Sequence, residues 1–93
     1  MKPRFWNKIG LSGIKLLIAV LELGGEAWII DALDKAGMGH GVMYKIISLQ
    51  EVGLAVFEEV RVEGRVRTYV KLTPLGLRIA EHLRTADELA PDV

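Results

Sequence analysis

The chain reads as a mainly α domain with one small β-hairpin, an α+β fold, and three observations predict it. Gly37 and Gly53 bracket a short stretch with helical spacing, two runs rich in Val, Phe, Tyr and Thr flank Val62-Glu63-Gly64, and Leu72-Thr73-Pro74-Leu75-Gly76 carries a helix start. A helix stopped by glycine, a hairpin and a proline-started helix, in that order, outline a winged helix-turn-helix, a frame that sets one helix in a DNA major groove. The expected order is three helices, two strands and a fourth helix, with a short strand allowed before the second helix.

Each element has a local cause. Ser12 can cap a first helix from about Gly13 to Leu23, which Gly24-Gly25 ends because paired glycines favour left-handed backbone. Its apolar residues lie nearly all round (Ile14, Leu16, Leu17, Ile18, Val20, Leu21), so it is buried on more than one side and implies a partner subunit. Glu26 to Ala36 fits a second helix, with Ile29, Ile30, Leu33 and Ala36 at helical spacing and Gly37 as its stop. A third helix from about His40 to Val52 lines up Val42, Ile46 and Leu49 on one stripe. Its opposite face holds His40, Tyr44, Ile47, Ser48 and Glu51.

The strands run from Leu54 to Val62 and from Arg65 to Leu72. A three-residue loop with Gly64 in the left-handed position would set Val60 opposite Val66 and Val56 opposite Val70. Phe57 would then lie by Tyr69, and Glu59 by Arg67. Thr73 caps the last helix, Pro74 takes its first position, and Leu75, Leu77, Ile79, Ala80 and Leu83 form its buried side.

With 93 residues, about half of them apolar, the chain supports one domain, residues 1–93, with a basic and aromatic arm at 1–10 and a flexible tail at 90–93. It has no cysteine, so neither a disulfide nor a thiolate metal site is available, and a cytoplasmic, reducing location is expected. The apolar run Leu16 to Leu21 is far short of the ~20 residues that cross a bilayer. Net charge is zero but segregated. Lys2, Arg4, Lys8 and Lys15 make the start basic, seven acidic residues dominate Glu22 to Val60, and Arg61, Arg65, Arg67 and Lys71 turn the hairpin positive again. If DNA is the partner, the two basic ends lie along its phosphates.

Leu49-Gln50-Glu51-Val52-Gly53-Leu54 and Leu72-Thr73-Pro74-Leu75-Gly76 resemble the phrases that close the recognition helix and open the helix after the wing in winged-helix transcriptional regulators of the PadR and MarR kind. Gly41-Val42-Met43-Tyr44 resembles the PadR entry to that helix. The resemblance runs from about Ile14 to Leu83 and implies sequence-specific double-stranded DNA binding by a homodimer.

On that reading the recognition helix offers His40, Gly41, Met43, Tyr44, Lys45 and Ser48. Tyr44 and Ser48 can bond phosphates or base edges, and Lys45 can pair with phosphate or guanine. Arg61, Arg65 and Arg67 form the DNA-contacting wing, since long cations there reach phosphates or a narrow minor groove. Phe5, Trp6, Ile14, Leu17, Leu21 and Leu83 are the expected dimer interface, and Trp28 is expected in the core. A second reading stays open: Met43, Tyr44 and Ile47 give the third helix an apolar outer side, as in a protein-interaction module that does not bind DNA.

An enzyme is not expected. The chain has no glycine-rich phosphate loop, nucleophile elbow or acid-base pair, and no residue cluster marks a ligand pocket or a cofactor. His40 and His82 lack the companion residues of a metal site.

Overall fold

The computed structural model describes residues 1–40 and 43–93, with side chains at 1–40 and 47–93. Helix α1 (Pro3–Glu22) starts on a proline whose missing N–H costs nothing in the first turn. It consists of two helical pieces joined at Gly10, where φ is 59° and ψ −178°. The expected arm is thus helical from Pro3, and Ser12 lies inside the helix instead of before it. Ile9 is buried, while Phe5 and Trp6 pack half-buried against the core, which gives the first piece an apolar reason to dock. Leu16, Leu17 and Val20 put the second piece at the centre of the domain.

The segment after Gly25 departs from the helix expected from Glu26. Glu26–Trp28 form strand β1, and α2 (Ile29–Ala36) begins only after it. The cause is distant in sequence: β1 pairs antiparallel with a strand some forty residues on, setting Ala27 opposite Val70, and the Leu72 N–H bonds the Gly25 carbonyl at 2.9 Å. The short strand allowed before the second helix is therefore present. Gly37 ends α2 in the left-handed region, with the Met38 N–H returning to the Leu33 carbonyl. Helix α3 (Met43–Glu51) follows, buries Leu49 and stops at Gly53. Val42 and the Ile46 side chain, the rest of its expected inward stripe, lie outside the described residues.

Strands β2 (Ala55–Val62) and β3 (Arg65–Leu72) form the hairpin, and the sheet order is β1-β3-β2. Its register is one residue away from the expected one. Val60 faces Arg67, Phe57 faces Val70, and Glu59 faces Thr68. The loop has two residues, Glu63 and Gly64, with φ of 50° and 79°. Positive φ at both positions gives a turn whose twist matches the strands, and it outweighs the cost of placing a glutamate there. Because side chains alternate along a strand, the slip exchanges the two faces of β2. Ala55, Phe57, Val70 and Leu72 point inward, and the Phe57–Tyr69 and Glu59–Arg67 pairs do not form.

Helix α4 (Pro74–Leu89) begins as expected. The Thr73 hydroxyl oxygen accepts from the Gly76 N–H at 3.0 Å and donates to the Gly53 carbonyl at 2.6 Å, while the Thr73 N–H bonds the Leu54 carbonyl. The two glycine phrases of the sequence thus meet in space, with the end of α3 fastened to the start of α4. A methyl group on Gly76 would overlap the Leu54 carbonyl oxygen. Helices α2 and α3 form a helix-turn-helix-like pair beside the hairpin, so the domain is winged-helix-like in general, in the order α1-β1-α2-α3-β2-β3-α4.

Candidate nucleic-acid interface

Alternation along β3 sorts the wing cations. Val70 and Leu72 are buried, so Arg65, Arg67, Tyr69 and Lys71 lie on the face turned away from the helices. Arg61 pairs with Val66 and lies on the opposite face. The three arginines therefore do not form one cluster. Arg61 and Arg65 are exposed on either side of the tip, whereas the Arg67 guanidinium sits 4.3 Å from the centroid of the Trp28 ring. That contact desolvates part of the arginine and fixes its direction through the ring quadrupole.

Trp28 is not in the core. It is half-buried on the outer sheet face, edge to face with Tyr69 at 5.0 Å, and so joins β1 to β3. Helical spacing extends over Ala27-Trp28 in the sequence because a strand of three residues is too short to show a period of two.

The Tyr69 hydroxyl donates to Glu26 Oε1 at 3.0 Å, and Glu58 lies nearby, held 3.8 Å from Lys71. The hydrogen bond to Glu26, then burial and the two carboxylate charges, raise the tyrosine above its usual pKa of 10.0. A raised folded value means the bond's contribution is complete below the unfolded pKa and is lost as pH climbs through the folded one. Titration at 295 nm is expected to show one tyrosine ionising late, and Glu26→Gln to bring it back towards 10.0. An unchanged profile would mean that the bond does not control the phenol.

Around α3, Gly41 lies outside the described residues. Met43, Tyr44 and Lys45 occupy the first turn by their backbone, their side chains also lying outside the description. His40 is exposed, with Nε2 3.0 Å from Asp34 Oδ1, so α2 and the approach to α3 are joined there. Ser48 is half-buried, and Ile47 is 50% exposed. Glu51, which would repel phosphate if bare, is paired with Lys8 at 2.6 Å. The basic start of the chain thus offsets the negative end of α3, a compensation between residues too far apart for sequence spacing to reveal.

Of the expected interface residues, Phe5, Trp6, Ile14, Leu21 and Leu83 are half-buried against their own core. Phe5 and Trp6 form an edge-to-face pair at 5.1 Å. Leu17 is 0% exposed and belongs to the core of the single chain, because α1 buries that side against its own domain.

Among the described residues, no group of three or more His, Cys, Asp or Glu could hold a metal ion, and no helix is long and apolar enough to cross a membrane. The sequence matches no family model and no curated protein. What the geometry establishes is a small α+β domain whose helix-turn-helix-like pair and β-hairpin have a shape compatible with winged-helix DNA-binding modules in general.

Proposed function

We propose that the chain binds double-stranded DNA as a homodimer and regulates transcription, in the manner of the PadR and MarR proteins that its glycine phrases resemble. The observation that carries this reading is the hairpin tip. Arg61 and Arg65 flank it, both exposed, and among the described residues neither is held by a carboxylate. Helix α3 enters the major groove, with His40, Gly41, Met43, Tyr44, Lys45 and Ser48 as its contact residues, and the wing rests on the adjacent backbone. Two copies then read half-sites about one helical turn, ~34 Å, apart.

A groove of about 300 Å³ supports dimerisation. Leu11, Ile14 and Ile18 line it on α1, and Asp87 borders it on α4. Leu11 is 68% exposed and Leu89, near the end of α4, 80%, so apolar surface lies beside a helix end that its own domain leaves uncovered.

The test is a titration of labelled duplex DNA at two salt concentrations. Binding at 50 mM salt is expected, and a dimer with about six phosphate contacts should weaken by roughly 10³ at 200 mM through counterion release. No binding at 50 mM rejects the proposal. The half-exposed Ile47 on α3 favours the second reading, a protein-interaction module. That reading gains if DNA fails to bind and Ile47→Asp abolishes capture of a protein partner.

A further inference from the structure

The last turn of α3 is joined to the base of the wing by a side chain that the DNA-binding reading has not used. In the order β1-β3-β2, β2 is an edge strand, so every second N–H along it points off the sheet. One of these, the Phe57 N–H, is bonded by Gln50 Oε1 at 2.9 Å. Phe57 is five residues from the end of β2 at Val62. At ~3.3 Å per residue the tip lies roughly 17 Å beyond this bond, and a tilt of about 10° at the base moves it by about 3 Å.

The helical side of the joint is firm. Leu49 is fully buried, a methyl on Gly13 would come within 3.2 Å of it, Glu51 is paired with Lys8, and the Gly53 carbonyl accepts from Thr73. The end of α3 is therefore anchored to α1 and α4, and Gln50 carries that anchorage to the hairpin. Gln50 is exposed, so water can replace its bond at little cost in stability. Its effect falls on direction.

We propose that Gln50 is a positioning residue: its bond to Phe57 sets the angle of the wing against α3, so that helix and wing meet the same duplex. The proposal rests on the DNA-binding reading above for its functional consequence, though not for the geometry itself. Gln50→Met keeps length and apolar contact but removes the acceptor. Gln50→Glu keeps an acceptor oxygen.

The experiment combines residual dipolar couplings and amide exchange on the free protein with DNA titration of the same variants. In Gln50→Met, the Phe57 amide is expected to exchange about tenfold faster, and the hairpin to reorient relative to α3. Its DNA affinity should fall about tenfold with the thermal midpoint nearly unchanged, since a 1 Å misplacement already spoils a hydrogen bond. Gln50→Glu should restore the exchange protection and the orientation. Unchanged couplings in Gln50→Met overturn the proposal whether or not the Phe57 amide exchanges faster, as does a reoriented wing with wild-type DNA affinity. If the wild-type protein binds no DNA, the regulator reading fails, and the couplings still decide whether Gln50 sets the wing angle.

Discussion

Gly76→Ala is expected to destabilise the domain by about 3 kcal/mol, the upper end of the range for overpacking a closed interior. Gly76 is buried in the first turn of α4, and a methyl there would overlap the Leu54 carbonyl oxygen and lie 2.8 Å from its carbon. The obstacle is backbone, and no rotamer change can move it aside. That carbonyl also accepts from the Thr73 N–H, while Thr73 caps α4 and bonds Gly53, so pushing α4 away strains every contact at the joint. Gly13→Ala is the informative comparison. Its methyl would meet Ile9 and Leu49 side-chain atoms at 3.1 and 3.2 Å, neighbours that can give by a few tenths of an ångström. Urea melts of the two variants should rank Gly76→Ala well below Gly13→Ala, and equal midpoints would show that α4 does not depend on this close approach.

The double variant Arg61→Ala with Arg65→Ala should have the largest functional effect. Both residues are exposed beside the tip, on opposite faces of the hairpin, where each can reach a phosphate. If the chain binds DNA as the proposed dimer, losing two phosphate contacts per chain, four per dimer, should lower the slope of log affinity against log salt by about 3.6, at ~0.9 per contact. Affinity near 100 mM salt should fall at least tenfold. Arg78→Ala with Arg84→Ala, at exposed positions of α4, removes the same two charges elsewhere and serves as the control. If it weakens binding as much as the wing variant, attraction is diffuse and the wing has no special role. Arg67→Ala should act differently, by loosening β1 from β3, because that guanidinium is stacked on Trp28.

Gly76 and the wing arginines differ in how much of their role is written locally in the sequence. Gly76 lies in a phrase, Leu72-Thr73-Pro74-Leu75-Gly76, whose helix start is legible from capping chemistry alone, since Thr73 and Pro74 act within one turn. The reason for the glycine was not legible, because Leu54 approaches from more than twenty residues away. The wing arginines were visible as a charge cluster. Their division between two faces was not, because one turn residue decides the register and Glu63 adopts a backbone that its side chain disfavours.

The N-terminal segment follows the same rule. Lys8 and Trp6 read as a basic and aromatic arm, and only the packed domain shows that Ile9 is buried and that Lys8 meets Glu51.

By itself, the sequence determined what local chemistry controls: the glycine stops of α1, α2 and α3, two strands of the right composition, and the capped, proline-started α4. Tertiary structure decided which backbone edge each strand finds, which face each arginine occupies, and which carboxylates are compensated. The physical reason is one of range. Caps and turns are satisfied within a few residues, whereas the strand β1, the Arg67–Trp28 stack and the Lys8–Glu51 pair exist only once distant segments have been brought together around the buried leucines of α1.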